Sequence, residues 1–97
     1  MISTEDSIER IIASLSQEVS ITIDLDVLDP SIMSAVGTPE PGGIGWHELL
    51  GLLRKVAQAK CVVGFDLVEL CPGEGPLACA FVAAKLAYKL IGYIFYK

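Results

Sequence analysis

Residues 21–43 read ITIDLDVLDPSIMSAVGTPEPGG: an apolar, β-branched run passes directly into three aspartates, Asp24, Asp26 and Asp29, and then into a stretch crowded with proline and glycine. Taken from Val19, the run VSITIDLDVLD favours an extended strand, because β-branched side chains suit a pleated surface. It stops at Asp29-Pro30, where the proline ring restricts the preceding residue to extended geometry. Pro30, Gly37, Pro39, Pro41, Gly42, Gly43 and Gly45 then exclude regular structure over residues 30–45 and mark a long, shaped loop. Loops of that length inside a compact domain often carry function.

The flanking sequence supplies the rest of the layout. Ser3 with Asp6 three residues later gives a capping pattern, and Ile8, Ile11, Ile12 and Leu15 follow at helical spacing, which predicts a helix over residues 4–16. Trp46, Leu49, Leu50, Leu53 and Val56 form the apolar stripe of a second helix that runs to about Ala59. CVVGFDLVEL, residues 61–70, reads as a second apolar strand closed by Cys71-Pro72-Gly73, and Pro76 opens a third helix at a position proline tolerates. Strands joined through a helix are parallel, with a right-handed crossover. The expected fold class is therefore α/β, a parallel sheet with flanking helices. Parallel strands end on the same edge of the sheet, which is where open α/β sheets bind ligands. That topology brings Asp24, Asp26 and Asp29, after the first strand, to the same edge as Glu69, after the second.

In a strand, Asp24 and Asp26 point to one side with Cα atoms about 6.5–7 Å apart, so both reach a common centre. Carboxylates held that close repel unless a cation or a proton compensates. A divalent metal, or a pair of them, is the usual solution in hydrolytic chemistry, and oxygen ligands favour Mg²⁺, Ca²⁺ or Mn²⁺. A loop cap beside a solvated strand end is an equally available reading of the two aspartates. Glu69 likewise reads as a solvated strand end or as a carboxylate aimed at a cationic substrate group. His47 sits at a helix start as a surface residue. Cys71, with no base nearby to activate it, reads as packing.

Composition narrows the function classes. The chain has 97 residues, room for one small domain, yet 53% are hydrophobic and the mean hydropathy is +0.57. That is the composition of the interior of something larger. A net charge of −5 argues against nucleic acid, which needs a basic face. Cys61, Cys71 and Cys79 show no CxxC spacing, so neither a disulfide framework nor a zinc site is indicated, and a reducing, cytoplasmic location is expected. MISTEDSIER lacks the basic and apolar regions of a secretory signal. Residues 76–95 approach membrane-spanning length, but Lys85 and Lys89 near the middle would each cost about 2.5–3.5 kcal/mol at a bilayer centre. The segment is read as a buried helix, with no membrane partner.

SITIDLDVLDPSIMSAVGTPEPGG followed by VVGFDLVELCP resembles the C-terminal part of the ureohydrolases, the arginase and agmatinase family, with TPEPGG closer to the agmatinases. The resemblance spans nearly the whole chain and implies a three-layer αβα fold with a binuclear Mn²⁺ centre. In that family a metal-bridging hydroxide attacks the guanidinium carbon of a substrate such as agmatine, giving urea and an amine. Carried over by motif position, Asp24 would bridge both metals, Asp26 would ligate one, Glu69 would pair with the guanidinium, Thr38 would hydrogen-bond near the site, and Asp29 would support the loop. The family's histidine ligands, its further aspartate ligands and its catalytic-site histidine have no counterpart, because the only histidine, His47, follows the DxD. Residues 1–97 are therefore expected to be the C-terminal portion of a single ureohydrolase-like domain, weak in metal binding, without catalytic residues of its own and inactive alone. Uncovered sheet and helix surfaces would then favour a homo-oligomer.

MSAVGTP stands where relatives often have APGTGTP, and CPGEG follows Glu69 where many carry Asn-Pro and a later Asp, which bears on substrate choice more than on the metals. Two competing functions remain at the level of sequence. DLDVL after an apolar strand resembles a haloacid-dehalogenase-type phosphotransferase signature, though it leaves TPEPGG unexplained. A truncated, non-catalytic structural or assembly module is the other.

Overall fold

The elements form where the residues dictate them, and the computed structural model describes residues 4–96. Helix α1 spans Thr4–Ser14 and strand β1 Glu18–Asp24. Helix α2 spans Trp46–Ala59, strand β2 Cys61–Val68 and helix α3 Ala78–Phe95. The two strands pair in parallel, from Glu18 opposite Cys61 to Asp24 opposite Val68, with one irregularity between Val19 and Ser20. The α/β reading holds: a parallel pair, joined through α2 and flanked by helices.

Helix α1 ends two residues earlier than its apolar spacing suggests, where the Ser14 hydroxyl turns back to donate to the Ile11 carbonyl at 2.7 Å. The Lys60 ammonium donates to the Leu15 carbonyl at 3.1 Å, so the start of β2 is tied to the approach to β1. The Ser3 part of the expected cap lies outside the described residues. Helix α2 begins after Gly45, whose N–H donates to the Glu48 carboxylate at 3.3 Å, the half of a capping box open to a glycine. Its Leu49, Leu53 and Val56 are buried, as the stripe requires.

Three expectations need correcting. Strand β1 stops at Asp24, not at Asp29: residues Leu25–Val27 form a 3₁₀ turn. The reason is packing, since Leu25 and Leu28 are both buried, and a turn with i to i+3 closure lets residues three apart share one side where a strand would oppose them. Strand β2 likewise ends at Val68, because Glu69 has φ of +74°, a left-handed conformation that no strand continues. Finally, α3 is not a buried helix in the full sense. Cys79, Ala83, Leu86 and Leu90 bury one stripe, while Phe81, Tyr88 and Phe95 stand exposed. It starts after Leu77, with the Pro76 carbonyl accepting from Cys79 N–H at 3.0 Å. Among the described residues it is the one helix long and apolar enough to cross a membrane by length and composition.

The stretch at 30–45 contains no helix or named strand, but it is well fixed. Leu28 bridges Ile44 and Val36 bridges Leu70. Met33, Ala35 and Val36 enter the same core as Ile23, Leu53 and Leu86. Residues 33–36 of the loop thus belong to the hydrophobic interior while residues 37–42 are exposed, and the two bridges clamp the stretch over the C-terminal edge of the sheet.

Candidate metal centre

At the end of β1, Asp24 keeps an extended backbone and caps the 3₁₀ turn, its Oδ1 accepting from Asp26 N–H at 3.4 Å. With Leu25 pinned in the core between them, the two carboxylates are brought together by a turn rather than by strand periodicity. The expected convergence is present for a different local reason.

Glu69 arrives from β2. Its left-handed backbone costs on the order of 1–3 kcal/mol and persists only where the surroundings impose it. Here the next two residues impose it: Leu70 bridges Val36, and Cys71 N–H donates to the Ala35 carbonyl at 2.7 Å. The same clamp lays Gly37 and Thr38 across the sheet edge. A Cβ on Gly37 would sit 3.8 Å from Glu69 Oε2 and 4.0 Å from Cys71 Sγ. Thr38 Oγ1 donates to Asp26 Oδ2 at 3.1 Å.

Asp24, Asp26 and Glu69 each offer a carboxylate oxygen within 4.8 Å of the others'. Asp24 and Glu69 are exposed and Asp26 is half-buried, so the cluster opens towards solvent. The Asp24 carboxyl is raised above its ordinary value, chiefly by lost solvation, then by the side-chain hydrogen bond with Asp26 and the negative charges of Asp26 and Glu69. Crowded oxygen donors with one proton affinity already raised fit a hard divalent cation, which would neutralise the repulsion. Asp24, Asp26 and Glu69 are the residues that could hold one.

Asp29 does not join this cluster, although the topology argument placed it at the same edge. Its carboxylate accepts from the backbone N–H and the hydroxyl of Ser31 and from Gly42 N–H at 3.0 Å. These bonds hold its carboxyl below the usual range, the Ser31 hydroxyl contributing most. Gly42 has φ of +87°, and a Cβ on Gly43 would lie 2.6 Å from Asp29 N and 2.7 Å from Val27 O. Asp29 therefore gathers both ends of the loop into one knot. His47 is exposed in the first turn of α2, outside the cluster.

Sequence reasoning missed Ser31, Gly42 and Gly43 as the partners of Asp29. The Asp-Pro-Ser order was a usable signal, because aspartate side chains commonly bond the backbone two residues on. It also missed the Val36–Leu70 bridge, for which no local pattern exists.

Residues 1–92 match the sequence profile described as Arginase family. The chain is 52% identical over 85 residues to the N(1)-aminopropylagmatine ureohydrolase of Synechocystis sp., covering 88% of this chain and 28% of that protein. It is 36% identical over 87 residues to the agmatinase of Pyrococcus horikoshii, covering 90% of this chain and 31% of that protein. The proclavaminate amidinohydrolase structure from Streptomyces clavuligerus superposes with a TM-score of 0.85 at 29% identity, over 96% of this chain and 31% of that one. The chain thus spans less than a third of the length of these relatives.

Proposed function

The chain belongs to the arginase family, and from that membership we propose that it forms the carboxylate edge of a ureohydrolase active site, acting on a guanidino substrate such as agmatine. The observation that carries this reading is the meeting of Asp24, Asp26 and Glu69 at the C-terminal edge of a parallel sheet. The family match gives no support to the phosphotransferase alternative.

In this reading Asp24 and Asp26 would hold the ions of an Mn²⁺ pair. When bound, the pair supplies Lewis-acid activation of water for hydrolysis. The chain's own residues bind and orient. Glu69 offers its carboxylate to the planar guanidinium fork, a charge-assisted pairing that fixes the substrate carbon relative to the two aspartates. Thr38 holds the Asp26 carboxylate in one orientation through its 3.1 Å hydrogen bond. Asp29 keeps the loop folded over the site. The products of the whole reaction are urea and an amine.

The remaining metal ligands of the family have no counterpart in this sequence, so residues 1–97 supply part of a site and not a complete one. The reading includes a cytoplasmic location, which three free cysteines support, no nucleic-acid or membrane partner, and self-association.

The test is Mn²⁺ binding by calorimetry on the chain and on the Asp24→Ala/Asp26→Ala double variant. Urea release from agmatine and from N(1)-aminopropylagmatine, the substrate in the name of the Synechocystis relative, is measured on the same samples. Weak binding abolished in the double variant, with no urea, is expected. Binding that survives the double variant removes the metal assignment, and urea from the chain alone removes the incomplete-site reading.

A further inference from the structure

The C-terminal halves of α2 and α3 lie together, and between them opens a cleft of about 400 Å³ lined by Arg54, Gln58, Lys89, Tyr93 and Tyr96. Helical spacing produces this lining. Arg54 and Gln58 stand four residues apart on α2, and Lys89 and Tyr93 stand four apart on α3, so each pair occupies one row of its helix and both rows reach the same cleft. Tyr96, the residue that caps α3, closes the end. The neighbours of these residues in sequence, Leu53, Ala57 and Leu90, are buried, so the chain's own core fixes the walls.

The chain has a net charge of −5 and only seven lysines and arginines, yet two of them converge on one cleft that no carboxylate lines. Among the described residues neither the Arg54 guanidinium nor the Lys89 ammonium has a hydrogen-bond or ion-pair partner. Basic side chains near a helix C-terminus often bond to the last carbonyls. Here the caps use backbone instead, Lys60 N–H donating to the Val56 carbonyl and Tyr96 N–H to the Gly92 carbonyl, both at 2.9 Å. We propose that this cleft binds a small oxyanion carrying two or more negative charges, a phosphate compound or a polycarboxylate. Arg54 brings a planar fork that matches either group and Lys89 a point charge, while the Gln58 amide and the two phenols add neutral donors. Each helix end carries a partial negative charge of about half an electron, so two full positive charges outweigh both ends. The volume suits a metabolite better than a single ion. A protein segment is the less favoured occupant, because packed interfaces place apolar side chains at their centre, whereas every side chain lining this cleft ends in a polar group.

The last turn of α2 leads into the start of β2 at Cys61, and the cleft shares no residue with the carboxylate cluster at the strand ends, so the site stands or falls apart from the guanidino reading. Isothermal titration of the whole chain in metal-free buffer at fixed ionic strength, with pyrophosphate and with citrate as probes, separates phosphate from carboxylate recognition. At least one probe should bind with a submillimolar Kd, and Arg54→Gln and Lys89→Gln should each weaken it by about tenfold or more. Lys85→Gln removes the same charge from an exposed position on α3 outside the cleft and should change the affinity by less than about twofold. Arg54 is exposed, so its variant tests the site with the fold intact, and circular dichroism verifies the half-buried Lys89→Gln. Absence of binding by both probes at millimolar concentration overturns the site. So does binding that survives Arg54→Gln, and so does equal weakening by all three variants, which would mark general attraction to positive charge.

Discussion

Thr38 Oγ1 donates to Asp26 Oδ2 at 3.1 Å across a separation of 12 residues, tying the proline- and glycine-rich loop to the turn that follows β1. The bond links two segments that local sequence pattern treats as independent. It also fixes one oxygen of a half-buried carboxylate that belongs to the cluster with Asp24 and Glu69. In metal sites such partners of ligating carboxylates set the ligand's orientation.

Thr38→Val keeps the shape of the side chain and removes the donor. The expected outcome is Mn²⁺ binding weakened by about tenfold, the lower end of the range for such outer partners, with the fold's stability reduced by less than about 1 kcal/mol. Free Mn²⁺ measured by electron paramagnetic resonance reads the first, and urea unfolding the second. Binding equal to the parent chain would remove Thr38 from the site.

Two glycines should respond to alanine with opposite signs. At Gly43 the added Cβ would meet backbone atoms of Asp29, Leu28 and Val27 at 2.6–2.7 Å, and backbone cannot move aside as a side-chain tip can. Gly43→Ala should therefore destabilise the chain by about 1–3 kcal/mol. Gly51 lies within α2 with nothing inside 4 Å of the added atom. Gly51→Ala should stabilise by about 0.5–1 kcal/mol, because alanine loses less backbone freedom in a helix. Urea midpoints of the two variants, compared with the parent, check both signs.

Asp29 should give the loop an acid-sensitive lock. Its folded carboxyl lies below the ordinary value of 3.8, held there first by the Ser31 hydroxyl and then by the Ser31 and Gly42 N–H groups. The unfolded chain binds the proton more readily, so the stabilisation is complete above 3.8 and is lost as pH falls through the lower folded value. Asp29→Asn should be less stable than the parent at neutral pH, and the gap should shrink as pH falls through that window. A gap that stays constant with pH would mean that the charge of Asp29 contributes nothing.

The periodicity of Trp46, Leu49, Leu53 and Val56 revealed α2 to its end, because one buried stripe, a preceding glycine and Glu48 all agree. The parallel pairing was legible too, since topology follows from element order alone. The end of β1 was not: Leu25 and Leu28 continue an apolar pattern that suits a strand, and only their joint burial selects a turn. The left-handed backbone of Glu69 lay beyond reach for a different reason. It is imposed by Val36 and Ala35 from the distant loop, and a non-glycine residue carries no local sign of such a conformation. The site's carboxylates were therefore legible as residue types at one sheet edge, while the contacts that aim them were not. Helix α3 was half legible, since its composition shows its apolarity but not that only one stripe would find a partner within the chain.

Charge relief at Asp24 should separate stability from metal binding. With its proton affinity raised by lost solvation and by Asp26 and Glu69, the ionised Asp24 works against the folded state when no cation is present. A group whose folded value is raised adds stability at low pH that disappears as pH climbs through that value, so near neutrality the repulsion is fully felt. Asp24→Asn keeps an oxygen that can accept from Asp26 N–H and removes one negative charge. In a chelator the variant should melt above the parent chain. With millimolar Mn²⁺ the order should reverse, because the parent gains linkage stabilisation from the bound ion and the variant gains little. Differential scanning calorimetry in the two buffers reads both halves. If Mn²⁺ raises the two melting temperatures equally, the ion is bound elsewhere. If the variant melts below the parent even in chelator, the capping bond of Asp24 outweighs the repulsion, and the cluster is held together by the turn rather than strained by its charge.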